Sequence, residues 1–173
     1  MVASPDLAYR ILIALNMVPF SGIAFLWFIG VIRDLIGELE DKFFATVFLG
    51  SGLLFVAMLF AAAAVAGGLL ANLSFEPDGQ PITATSTFSF GRAVTYAILN
   101  IFAMKMAGVF MMSTCTIALR TESIPRWLGV LGYVFAAILL LSITYVEWIA
   151  MLFPLWVLML SAHLLVKNYR SNP

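Results

Sequence analysis

The sequence predicts an all-α polytopic membrane protein: one bundle of five transmembrane helices, with the N-terminus outside and the C-terminus in the cytoplasm. Three observations lead there. Of 173 residues, 63% are hydrophobic and only 10% are charged, whereas a soluble domain is roughly 45–50% apolar and about 25% charged. Five apolar runs are each long enough to cross roughly 30 Å of hydrocarbon, which takes about 20 helical residues. The segments between those runs hold nearly all the charge. The composition alone excludes a soluble globular domain, a disordered chain and a disulfide-rich secreted domain.

The first run, residues 7–32, contains Pro19. It is too long for the h-region of a signal peptide, its n-region has Asp6 and no Lys or Arg before Arg10, and no small-x-small site follows it. It therefore reads as a retained helix. The second run, residues 43–70, has almost no polar side chains. The third, residues 93–119, contains Lys105. The fourth is 127–145 and the fifth 148–166, with Pro154 inside. Only Val146 and Glu147 separate these last two, which predicts a tight antiparallel hairpin. The longest connection, residues 71–92, holds the turn signal Glu76-Pro77-Asp78-Gly79. Its second half, residues 82–90, is rich in Thr, Ser and Phe and reads as a short extended segment. The sequence contains no internal repeat that would support an inverted-repeat transporter.

Orientation follows from the basic residues. Arg33, Lys42, Arg120, Arg126, Lys167 and Arg170 share one side, and Arg10 and Arg92 share the other. The six-to-two bias makes the first side cytoplasmic. Trp127, Tyr145, Trp148 and Tyr169 sit at span ends, where amphipathic rings prefer the headgroup level.

Net charge is zero, so a basic nucleic-acid surface is not expected. The single cysteine, Cys115, allows no intramolecular disulfide, and the single histidine, His163, supplies no multi-ligand zinc site. Met104, Met106, Met111, Met112 and Cys115 are soft ligands in principle, but methionine is an ordinary filler of apolar gaps and core packing is the favoured reading. No metal and no cofactor is expected. HExxH, GxSxG and P-loop motifs are missing, so no catalytic residue is assigned. Small residues on the second run (Ala63, Ala64, Gly67, Gly68) and on the fourth (Gly129, Gly132, Ala136, Ala137) predict close helix packing, within the chain rather than between copies.

Lys105 is the most informative residue. It lies about 12 residues from the outer end of its run and about 14 from the inner end, roughly 18 Å deep at 1.5 Å per residue, beyond the reach of a snorkelling stem. No Asp or Glu lies inside any of the five runs. Three readings follow: the amine is bonded to polar groups or backbone carbonyls, it binds an anionic ligand, or it meets an acid on another subunit. Helical spacing puts Met112 and Thr116 on the Lys105 face, with Gly108 permitting close approach. Asn16 is expected at a similar depth, next to Pro19, which frees a carbonyl by lacking an N–H. Lys105, Asn16, Met112 and Thr116 are thus the candidate contacts for a ligand or partner.

The stretch Ile124-Pro125-Arg126-Trp127-Leu128-Gly129-Val130-Leu131-Gly132, and the segment from Arg33-Asp34 to Phe43-Phe44-Ala45-Thr46, resemble small uncharacterised bacterial multi-pass membrane proteins. The resemblance implies a bacterial cytoplasmic membrane and no assigned activity. The expected function is a binding or accessory component of that membrane, in contact with the lipid bilayer and with a partner subunit or a second copy. A small transporter or channel with a midplane cavity near Lys105 is the alternative.

Overall fold

A computed structural model describes residues 5–36, 42–75, 86–142 and 147–171. All regular structure among them is helical, and four stretches are long and apolar enough to cross a membrane. The chain is therefore membrane-embedded. Helix α1 is Pro5–Ile36 and α2 is Lys42–Phe75. Helix α3, Ser86–Ala97, passes through a π-helical turn, Ile98–Ala103, into α4, Met104–Arg120. Helix α5 is Arg126–Leu141. A 3-10 turn, Glu147–Met151, leads into α6, Leu152–Ser171.

Two differences from the sequence expectation have physical causes. Residues 86–90 are helical rather than extended, because α3 continues without interruption into the long apolar run that follows. The fourth predicted span stops at Leu141, and Ser142 is extended (φ −62°, ψ 116°). Ser142-Ile143-Thr144-Tyr145-Val146 consists of modest helix formers, three of them β-branched. With 16 residues, α5 measures about 24 Å, shorter than the hydrocarbon core. Among the described residues, four helical stretches have full membrane-crossing length. The expected Glu76–Gly79 turn and most of the 143–147 hairpin lie outside the described residues.

The turn from α4 to α5 closes in a Schellman motif. Ser123 N–H donates to Ala118 O (2.9 Å) and Glu122 N–H to Leu119 O (3.3 Å), with Glu122 at φ 52°. Pro125 occupies the N-cap of α5, and its carbonyl accepts from Leu128 and Gly129 N–H.

Phe110 of α4 is fully buried at the hub of the core. Its ring lies 4.9 Å from Phe48 of α2, 5.1 Å from Phe25 of α1 and 6.2 Å from Phe153 of α6. Aromatic rings at these separations gain edge-and-face interactions beyond area burial. Glycines set the closest approaches. A Cβ on Gly132 would overlap Cys115 Sγ and stand 2.5 Å from Trp156 Nε1; one on Gly129 would stand 2.6 Å from Leu119. With no hydrophobic drive between helices in lipid, such contacts hold the α4–α5–α6 seam.

Candidate functional site

The glycine contacts also fix relative depth. Gly91 of α3 meets Leu69 of α2, Gly52 of α2 meets Ile29 and Phe110, and Gly67 lies 3.9 Å from Leu15. Helices α1, α2 and α3–α4 thus alternate in direction, with Arg10 and Arg92 toward one end and Arg33 and Arg120 toward the other. Lys105 is about 13 residues (~20 Å) from Arg92 and about 15 residues (~22 Å) from Arg120. It lies well inside the apolar span.

Helix α5 ends at that same depth. A Cβ on Gly108 would stand 2.9 Å from Leu140 and 3.2 Å from Ala136 O, so α5 passes directly over this glycine. A helix terminus leaves its last carbonyls without intrahelical donors, which is costly away from water. Here the donors come from two sources. Ser142 N–H reaches Ile138 O (2.9 Å). Lys105 Nζ donates to Leu139 O (3.1 Å), to Ser142 O (2.9 Å) and to Leu140 O. An ammonium has three N–H donors, and three carbonyls receive them. A cation at a helix C-terminus is also favoured by the helix dipole. Of the three sequence readings, hydrogen bonding to backbone carbonyls is the one this geometry realises.

The π turn lies immediately before Lys105, and Asn100 within it donates to Tyr96 O (3.2 Å). One extra residue per turn alters the helical phase between Asn100 and Lys105. Such π turns are frequent at functional positions.

No protein-family model, curated protein or solved structure matches the chain.

The other candidate residues are dispersed. Thr116 accepts from Tyr133 O–H (2.7 Å) while its own hydroxyl donates to Met112 O (2.8 Å), giving a second polar tie between α4 and α5. Met112 points outward and is 41% exposed. Asn16 donates through Nδ2 to Leu12 O (2.9 Å) on its own helix. Leu15 packs level with Gly67, about 15 residues along α2 from the Gly52–Phe110 contact. Lys105 lies about five residues from Phe110 in the same direction, so Asn16 is displaced from it by about 15 Å along the axis. The structure does not bring Asn16, Met112 and Lys105 together.

The soft-ligand residues divide in the same way: Met111 and Cys115 are fully buried, Met104 and Met106 pack against the core, and Met112 faces out. Among the described residues no group of His, Cys, Asp and Glu is arranged to hold a metal. Buried Ser51, Ser113 and Thr114 each donate back to carbonyls of their own helix.

Two elements of this site escaped the sequence reading. The acceptors for Lys105 are backbone carbonyls, which carry no side-chain signature. Tyr133 was readable as a phenol inside an apolar run, where a buried O–H usually finds a partner.

Proposed function

We propose that this chain is a non-catalytic integral membrane component that binds or supports a partner, set in the cytoplasmic membrane of a bacterium. The observation that carries this reading is the use made of Lys105. Lys105, deep inside the apolar span, is engaged by three carbonyls of α5, which makes it a structural clasp rather than a free charge awaiting substrate. The N-terminus is placed outside and the C-terminus in the cytoplasm by the distribution of Lys and Arg. The proposed fifth crossing is α5, which pairs with α6. Lys167 at the far end of α6 donates to Glu122 O and Ser123 O, so both arms share the end that bears Arg120 and Arg126. Chemical crosslinking in native membranes followed by purification tests the reading. A second, different polypeptide at fixed stoichiometry is expected; recovery of this chain alone overturns it.

A small transporter or channel is the second reading. It is favoured by one observation: a helix that ends inside the apolar span beside a lysine and a π turn, since interrupted helices line the substrate paths of many transporters. The readings part on water access. In a Cys115→Ala background, a Lys105→Cys variant is expected to resist a membrane-impermeant maleimide if the clasp is dry. Rapid labelling would favour the transport path.

A further inference from the structure

Between α1 and α2 lies a groove of about 350 Å³, lined on one wall by Leu12, Asn16 and Pro19 and on the other by Ala63, Ala64 and Gly67. Its floor is open because these α2 residues carry almost no side chain. Among the described residues that line it, Asn16 is the only polar side chain. One Asn16 N–H is used by Leu12 O, while the second N–H and the amide oxygen make no hydrogen bond among the described residues. Three residues on, Pro19 withholds the N–H that would otherwise reach the Leu15 carbonyl. Asn16 is about six residues (~9 Å) below Arg10 and about 17 residues (~26 Å) from Arg33, so it lies within hydrocarbon. An amide left unpaired there is unfavourable by some kcal/mol.

Beyond the groove, the face of α1 that carries Asn16 is exposed among the described residues. Tyr9, Leu12, Ile23 and Leu26 are all exposed, and Gly30 has nothing within 4 Å of where a Cβ would stand. Together with Asn16 and Pro19 they follow a spacing of three and four residues, the heptad seam of paired helices. Asn16 takes one of the two seam positions, where a buried Asn sets register and partner number.

An acyl chain in the groove would leave the amide unsatisfied. A second copy would not. Two chains inserted in the same direction hold Asn16 at the same depth, and an amide is self-complementary, offering a donor and an acceptor to its equivalent. We propose that the chain forms a parallel two-fold pair through this groove, with the two Asn16 amides hydrogen-bonded to each other across the axis. The proposal rests on the membrane-embedded reading and is independent of the existence of a different partner polypeptide.

The full-length chain, labelled at its C-terminus with donor or acceptor dye, is reconstituted in phosphatidylcholine–phosphatidylglycerol vesicles over a range of protein-to-lipid ratios. Energy transfer is expected to follow a monomer–dimer curve. Asn16→Leu is expected to weaken pairing roughly tenfold, since one or two interhelical hydrogen bonds in lipid are lost. Asn16→Gln, which keeps the amide, should restore much of it. Ala64→Leu, which fills the groove, should weaken it without touching the amide. Helix content by circular dichroism should be the same in all, because Asn16 and Ala64 are exposed. A wild-type chain that stays monomeric throughout, its groove holding lipid, overturns the proposal. So does an Asn16→Leu variant that pairs as tightly as wild type. Neither result bears on whether crosslinking recovers a different polypeptide.

Discussion

Lys105 would be a liability in hydrocarbon if its ammonium stood alone, and the last carbonyls of α5 would be a liability without donors. Each removes the cost of the other. Lys105→Met therefore strips donors from three carbonyls at once. A loss of about 2–4 kcal/mol is expected, read as a lowered Tm in mild detergent; an unchanged Tm would mean that α5 finds other donors and the clasp is dispensable. The Thr116–Tyr133 bond is a smaller tie. Tyr133→Phe should cost about 0.6 kcal/mol, the usual scale for an interhelical hydrogen bond in lipid. Because the two hydroxyls act as one pair, Tyr133→Phe combined with Thr116→Val should cost less than the sum of the single changes; strict additivity in that double-mutant cycle would show the pair to be uncoupled.

At the scale of elements, the hairpin of α4 and α5 is defined by how closely two backbones approach and how the chain reverses between them. Gly132 leaves room for Cys115 and for the Trp156 ring, which is buried with no hydrogen-bond partner for its Nε1 among the described residues. Gly132→Ala inserts a methyl where atoms already stand, so a loss of about 1–3 kcal/mol is expected. Gly30→Ala, where a Cβ meets nothing within 4 Å, should instead be neutral or gain up to about 1 kcal/mol of helix propensity. Parallel thermal melts check the contrast, and equal effects would show that close approach is not what holds the seam. At the turn, Glu122 adopts the left-handed conformation that glycine favours. Glu122→Gly is expected to raise stability by about 1 kcal/mol, again as a shift in Tm; a lowered Tm would mean that the side chain has a role outweighing the strain.

The whole molecule is lopsided. Helices α1, α2 and the continuous α3–α4 stretch each run for 32 residues or more, whereas α5 has 16. Helices longer than the hydrocarbon core must tilt or protrude, and one as short as α5 is mismatched to it. The aromatic anchors agree with a membrane surface near the hairpin ends: Trp127, Trp148 and Tyr169 are all well exposed. The hairpin also fixes the parity of the termini. Since α5 and α6 leave and return to the same end, the C-terminus lies with Arg120 and Arg126 whether or not the hairpin reaches the opposite surface. A reporter fused after Pro173 is expected to be active only when cytoplasmic, and one fused before Met1 only when external. The reverse result would show that the six-to-two bias of basic residues does not orient this chain.

By itself the sequence determined the solvent, the helical class and the approximate extent of α1, α2 and α4, because hydrocarbon admits long apolar runs and requires their backbones to bond internally. It also marked Lys105, since a lone cation in an apolar run stands out against its neighbours. It placed Asn16 beside Lys105 in depth, and there register decided otherwise: Leu15 opposite Gly67 and Phe110 opposite Gly52 separate the two residues along the bundle. The end of α5 at Leu141, the π turn before Lys105 and the carbonyls that receive its ammonium were decided only by the tertiary structure. The reason is that backbone acceptors are the same at every residue, so nothing in the order of side chains says which helix end will lie beneath which lysine.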